Sequence, residues 1–245
     1  MREIIKEYLY QPESFVLFGS AHIITLILFL ALWVWLPKLA KEKLSIQEQE
    51  SFGRWLSYII AFQYVAWVLL EIMAGTFDVK VHLPVHLCRF ANLALPFVMI
   101  YKNQLWFEII FFFGLSAMFQ ASITPDIIHG FPHFHFFRFF ICHSGQVLAI
   151  IYLVVVFGLK PRRKGIWLAM IGLNIFLFVA FVTNTILDSN YFWIRNKPPV
   201  PSLLDYLGDW PWYLVWAEGI ALLHFFIVYT PFFFMKKRNL LIILI

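Results

Sequence analysis

The chain has 245 residues, of which 62% are hydrophobic and 13% charged, with mean hydropathy +0.78 and a net charge of +5. A soluble domain carries roughly 25% charged residues, so this composition excludes an ordinary soluble enzyme and indicates a polytopic membrane protein. The positive balance does not point to nucleic acid, because the basic residues cluster in short segments between apolar runs.

The first fourteen residues are polar and amphipathic, without the short apolar core and small-residue cleavage site of a signal peptide. A spanning helix needs about 20 mostly apolar residues. Seven stretches qualify: 15–36, 55–75, 83–101, 105–120, 136–159, 166–187 and 211–234. The fourth is the shortest and is expected to be the weakest span. No stretch shows the period-2 alternation of a membrane barrel, and lipid demands internally satisfied backbone. The expectation is an all-α transmembrane bundle forming a single integral membrane domain over 1–245. Alternate loops collect Lys38, Lys41, Lys43, Arg54, Lys102, Lys160, Arg162, Arg163, Lys164, Lys236, Lys237 and Arg238. The positive-inside rule then puts the C-terminus inside and the N-terminus outside. On the outer side, the Trp- and Tyr-rich segment 188–210 is predicted to form an ordered interfacial cap.

Ionisable residues inside spans are costly and are functional candidates by default. Here they include His22, Glu71, Cys88, Arg89, Glu108, Arg138, His143, Glu218 and His224. At 1.5 Å per residue, Cys88 lies roughly 7 Å below the start of its predicted helix, and His143 and Glu218 roughly 10 Å below theirs. A thiol, an imidazole and a carboxylate thus reach similar depth from three helices, which suits a pocket open to the outer leaflet. Bland readings stand beside this one. Cys88 fits a small buried hydrophobe, His143 a helix–helix hydrogen bonder, and Glu218 a counter-ion for Arg89 or Arg138. Cys142 points about 100° away from its neighbour His143 around the helix and is expected to face lipid or core. Two cysteines make neither a disulfide framework nor a thiolate metal site. His129, His133 and His135, with Asp126, match no strong zinc motif, so neither metal nor cofactor is expected.

The stretch Leu83-Pro84-Val85-His86-Leu87-Cys88 resembles the YwaF family of bacterial integral membrane proteins. Asn190-Tyr191, Lys197-Pro198 and the run Ser202-Leu203-Leu204-Asp205-Tyr206-Leu207-Gly208-Asp209-Trp210-Pro211-Trp212-Tyr213 resemble its second signature, and residues 132–143 a third block. That family is similar to eukaryotic multipass enzymes that move a fatty acyl chain from a diacyl phospholipid to a lyso ether lipid through a membrane cysteine. The resemblance implies a bacterial plasma-membrane protein with Cys88 as nucleophile and His143 as its base. Membrane phospholipids would be acyl donor and acceptor. His86, Arg89 and Asn92 are then candidates for holding the oxyanion or lipid phosphate, and Glu218 or Asn184 for orienting the imidazole. Two other classes fit the residues. One is a proton-coupled transporter using Glu71, His143, Glu218 and His224 as a relay. The other is a non-enzymatic lipid-binding or assembly protein that uses the cap.

Overall fold

A computed structural model describes residues 1–12, 14–198 and 203–237; residues 199–202 of the predicted cap and Arg238 of the basic cluster lie outside them. The described chain is all helical. Helix α1 (Arg2–Leu9) is amphipathic and packs on α3. Then come α2 (Ser20–Lys43), α3 (Ile46–Ala74), α4 (Leu87–Tyr101), α5 (Gln104–Phe113), a π-helical segment (Gly114–Met118), α6 (Phe119–Ile123), α7 (Phe134–Val155), α8 (Arg163–Leu187) and α9 (Trp212–Lys237).

Local chemistry marks the boundaries. Ser45 and Glu48 form a reciprocal capping box at the start of α3, and Gly75 ends that helix in the left-handed conformation. Asn103 accepts from Leu105 and Trp106 backbone N–H groups, starting α5 one residue after Lys102 closes α4. His133 caps α7 by accepting from the His135 N–H.

Among the described residues, six helices are long and apolar enough to cross a membrane. The predicted weak span at 105–120 is one of them. Helix α5, the π segment and α6 run continuously as Gln104–Ile123, 20 residues. The extra residue of a π turn is accommodated without breaking the helix. The short element is instead α4, with 15 residues, or about 22 Å, against the roughly 30 Å of a hydrocarbon core. Residues 83–86, predicted to open this helix, are non-helical.

Helix α7 is the hub. It packs on α2, α3, α4 and the π segment, and 72% of its spanning window is buried, against 6% for α9. Close approach to α3 is possible because Gly145 has no side chain: a Cβ there would lie 3.2 Å from Ile60. Trp33 of α2 donates its indole N–H to the Ser144 carbonyl at 3.0 Å. Phe107, Phe111, Phe112, Met99 and Tyr152 fill the fully buried core between α4, α5 and α7. At the opposite end from the α4 N-terminus, Glu108 is fully buried and takes a two-pronged hydrogen bond from Arg162 at 2.7 and 2.9 Å. This pair ties α5 to the turn before α8.

Candidate active site

The site is built where the non-helical entry to α4 meets the middle of α7. The entry segment is held from above by Tyr191, which sits in the cap's short 3-10 turn (Tyr191–Trp193). Its hydroxyl donates to the Val79 carbonyl at 2.6 Å and accepts from the Leu83 N–H at 2.9 Å. Asn184, fully buried near the end of α8, in turn holds Tyr191. It accepts from the Tyr191 N–H at 2.6 Å and the Ser189 hydroxyl at 2.9 Å, and donates to the Tyr191 carbonyl at 2.9 Å. Phe192 and Trp193 both adopt positive φ, 57° and 55°, a strained conformation for aromatic residues. Tyr213 of α9 holds this turn by donating to the Trp193 carbonyl at 2.7 Å. His86, immediately before α4, lies edge-on to Tyr191 and Trp193, with ring centroids 5.5 and 5.6 Å away.

Below this cap, the sulfurs of Cys88 and Cys142 and a ring nitrogen of His143 lie within 4.8 Å of one another. Cys88 is partly accessible, whereas Cys142 and His143 are buried. The His143 Nδ1 pairs with the Phe139 carbonyl at 2.9 Å. A carbonyl only accepts, so this contact places the proton on Nδ1 and leaves Nε2 as the base of a neutral imidazole. Asn92, one turn below Cys88 on α4, donates to the Cys142 sulfur at 2.7 Å, while its own Oδ1 is buried without a partner among the described residues.

The structure therefore brings Cys88 and His143 together and adds Cys142, which was expected to face lipid or core. Adjacent residues do diverge by about 100°, but α4 lies in the angle between them, so Cys142 and His143 both border Cys88. The sequence carries no thiolate metal motif, yet both sulfurs and a His143 nitrogen come together here. These three ligand atoms could hold a thiophilic metal ion after small adjustments, since Zn–S is about 2.3 Å and Zn–N about 2.0 Å. In the 129–135 run His129 stacks on His133, ring centroids 4.2 Å apart, and His135 lies tilted to both.

Asn184 does not orient the imidazole: both its amide atoms are committed to Ser189 and Tyr191. Glu218 is half-buried on α9, which packs on α8 and the π segment. Among the described residues Glu218 makes no hydrogen bond or ion pair, so it is no counter-ion for Arg89 or Arg138. Arg89 donates to the Leu83 carbonyl at 3.0 Å and lies with its Cζ 4.6 Å from the centre of the Trp67 ring. The Arg138 Cζ lies 4.1 Å from the same ring. One signal for a shared site was present in the sequence: Arg138 and Cys142 are four residues apart, on one face of a helix.

Fold and composition define a multipass helical membrane protein with a cysteine–histidine cluster where the start of α4 meets the middle of α7. The chain belongs to the TMEM164 family, whose model matches residues 17–229. An uncharacterized protein of Treponema pallidum (strain Nichols) is 22% identical over 221 residues, covering 89% of this chain and 90% of that protein. No solved structure matches the chain.

Proposed function

We propose that this protein is a membrane-embedded acyltransferase that moves a fatty acyl chain between lipids through a thioester on Cys88. The observation that carries the reading is the pairing of a partly accessible thiol with an imidazole whose second nitrogen is anchored on a backbone carbonyl. That is the arrangement a cysteine nucleophile needs, because only the thiolate attacks well and burial in apolar surroundings disfavours it.

In the first half-reaction, His143 Nε2 takes the Cys88 proton and the thiolate attacks the ester carbonyl of a donor phospholipid. The carbonyl–oxygen bond breaks, and the imidazolium returns its proton to the departing lyso-lipid alkoxide. In the second, Nε2 takes the proton of an acceptor hydroxyl, whose oxygen attacks the thioester. The thiolate leaves and is reprotonated from the imidazolium. The Asn92 amide lies one turn from Cys88 and donates to the Cys142 sulfur, and its second N–H is a candidate to stabilise the oxyanion. The positive-inside reading of the basic loops supports an outer-leaflet site, the side from which a phospholipid ester would enter.

The relay that a transporter would need is less well supported. Glu71 is buried and accepts from Trp67, Tyr10 and Thr76 at 2.8, 3.0 and 2.6 Å, which gives it a structural role at the α1–α3 contact.

The test is labelling of the reconstituted protein with an alkyne-bearing diacyl phospholipid. The wild type should gain a hydroxylamine-sensitive label that Cys88→Ala loses, and His143→Ala should form it at least a hundredfold more slowly. Lipid remodelling that survives in Cys88→Ala would sink the mechanism.

A further inference from the structure

Two cations converge on one indole beside the thiol, and neither has a counter-ion among the described residues. Arg89, next to Cys88, and Arg138, one turn before Cys142 on the same face of α7, both lie against Trp67, at 4.6 and 4.1 Å from the ring centre. Trp67 itself is 5% exposed. Arg138 makes no hydrogen bond or ion pair among the described residues, and its Nε is buried without a partner. Arg138 as a whole is only partly buried. Arg89 spends Nη1 on the Val81 and Leu83 carbonyls, and among the described residues its other donors make no hydrogen bond.

Nearby acids do not neutralise the pair. Glu71 accepts from the Trp67 indole N–H, Tyr10 and Thr76, lies 3.7 Å from His82, and reaches neither guanidinium within ion-pair distance. Asp126, exposed before α7, makes no ion pair among the described residues either. Holding two like charges together in a largely apolar bundle is costly. The ring faces of Trp67 offset part of that cost, and an anion would offset more.

We infer that Arg89 and Arg138, stacked on Trp67, form a binding site for a phosphate-type oxyanion. This inference rests on the acyl-transfer reading for its purpose and names the part of the substrate that the site grips. Guanidinium donors suit phosphate oxygens because they offer paired, parallel N–H groups at fixed geometry. Arg138 lies four residues, ~6 Å, from Cys142 toward the N-terminal end of α7. A lipid whose phosphate sat on the arginines would therefore present its ester carbonyl, a glycerol linkage deeper, to Cys88. An uncharged diacylglycerol would lack that grip. The same donors would also accept a free phosphate ester.

The test is equilibrium binding to the full chain in neutral detergent. Dihexanoyl phosphatidylglycerol, dihexanoylglycerol and inorganic phosphate serve as probes, with the unfolding midpoint of every variant measured alongside. The phosphodiester lipid should bind the wild type at least tenfold more tightly than dihexanoylglycerol. Arg89→Gln and Arg138→Gln should each lose about tenfold toward the phosphodiester and little toward dihexanoylglycerol. Arg138→Lys should recover part of the loss. Displacement of the lipid by millimolar inorganic phosphate would support the shared anion chemistry. Phosphate binding as tightly as the lipid would assign the site to a free phosphate ester. Equal affinity of the wild type for the two lipids would overturn the inference without any variant being needed. So would phosphodiester affinity unchanged in a normally folded Arg138→Gln protein. Binding does not require Cys88 chemistry, so failed acyl labelling with intact phosphodiester preference would count against acyl transfer alone.

Discussion

Replacing Asn184 by alanine should loosen the cap and, through it, the entry to the thiol. The side chain is completely buried and makes three hydrogen bonds, to the Tyr191 N–H, the Tyr191 carbonyl and the Ser189 hydroxyl. Tyr191 and Ser189 are themselves 1% and 7% exposed, so water cannot readily replace the lost partners. At roughly 0.5–1.5 kcal/mol net per bond, with more where a buried partner is stranded, the loss should be about 2–4 kcal/mol. Unfolding in mixed micelles would measure it. The functional consequence follows from the Tyr191 hydroxyl, which holds Val79 and Leu83 just ahead of His86 and Cys88. Alkylation of Cys88 by a maleimide, located by peptide mass spectrometry, should therefore speed up severalfold in Asn184→Ala. A change below about 0.5 kcal/mol together with an unchanged alkylation rate would refute this chain of contacts.

Other outcomes follow from the same geometry. Arg162→Ala should destabilise the protein more than Glu108→Gln, because it strands a fully buried carboxylate, whereas the freed arginine is 44% exposed; equal losses would show that Glu108 is solvated. The exposed carboxyl of Asp188 is held below its usual range by the hydrogen bond from Arg195, and then by the charges of Arg195 and Lys80. A depressed folded-state value means its stabilisation is full above about pH 4 and is lost as pH falls through that lower value. The unfolding midpoints of wild type and Asp188→Asn should accordingly converge on acidification, and a constant difference from pH 7 to pH 3 would contradict the assignment. Zn²⁺ should slow alkylation of both thiols, and Cys142→Ser should weaken the protection at Cys88; undiminished protection in the variant would mean that Cys142 does not share the ion.

The sequence by itself determined the class of protein. Lipid leaves helices as the solution for long apolar runs without period-2 alternation, and the described residues include six such helices. It also placed Cys88 and His143 at comparable depth, because rise per residue is constant along a helix. The structure changes the basis of that agreement. Helix α4 begins at Leu87, not at residue 83, so Cys88 lies in its first turn, while His143 is about two and a half turns into α7. They meet because the segment before α4 folds into the bundle, with His82 only 4% exposed, held from above by Tyr191. Depth counting assumes helices that start at a common level, and hydrophobicity alone cannot report a helix that starts late.

Azimuth was the second thing only tertiary packing could decide. Sequence gives the angle between Cys142 and His143 on their own helix, but not where α4 lies relative to both. Placing α4 between them made Cys142 a neighbour of the thiol. The same kind of uncertainty applied to the polar partners. Asn184 and Glu218 had suitable chemistry and depth, yet one serves the cap and the other lies on a helix packed against α8 and the π segment. Arg138 looked like half of an ion pair, and the structure leaves it on Trp67 without a described carboxylate partner. Spacing along one helix fixes which residues share a face; only the packing of several helices fixes what that face meets.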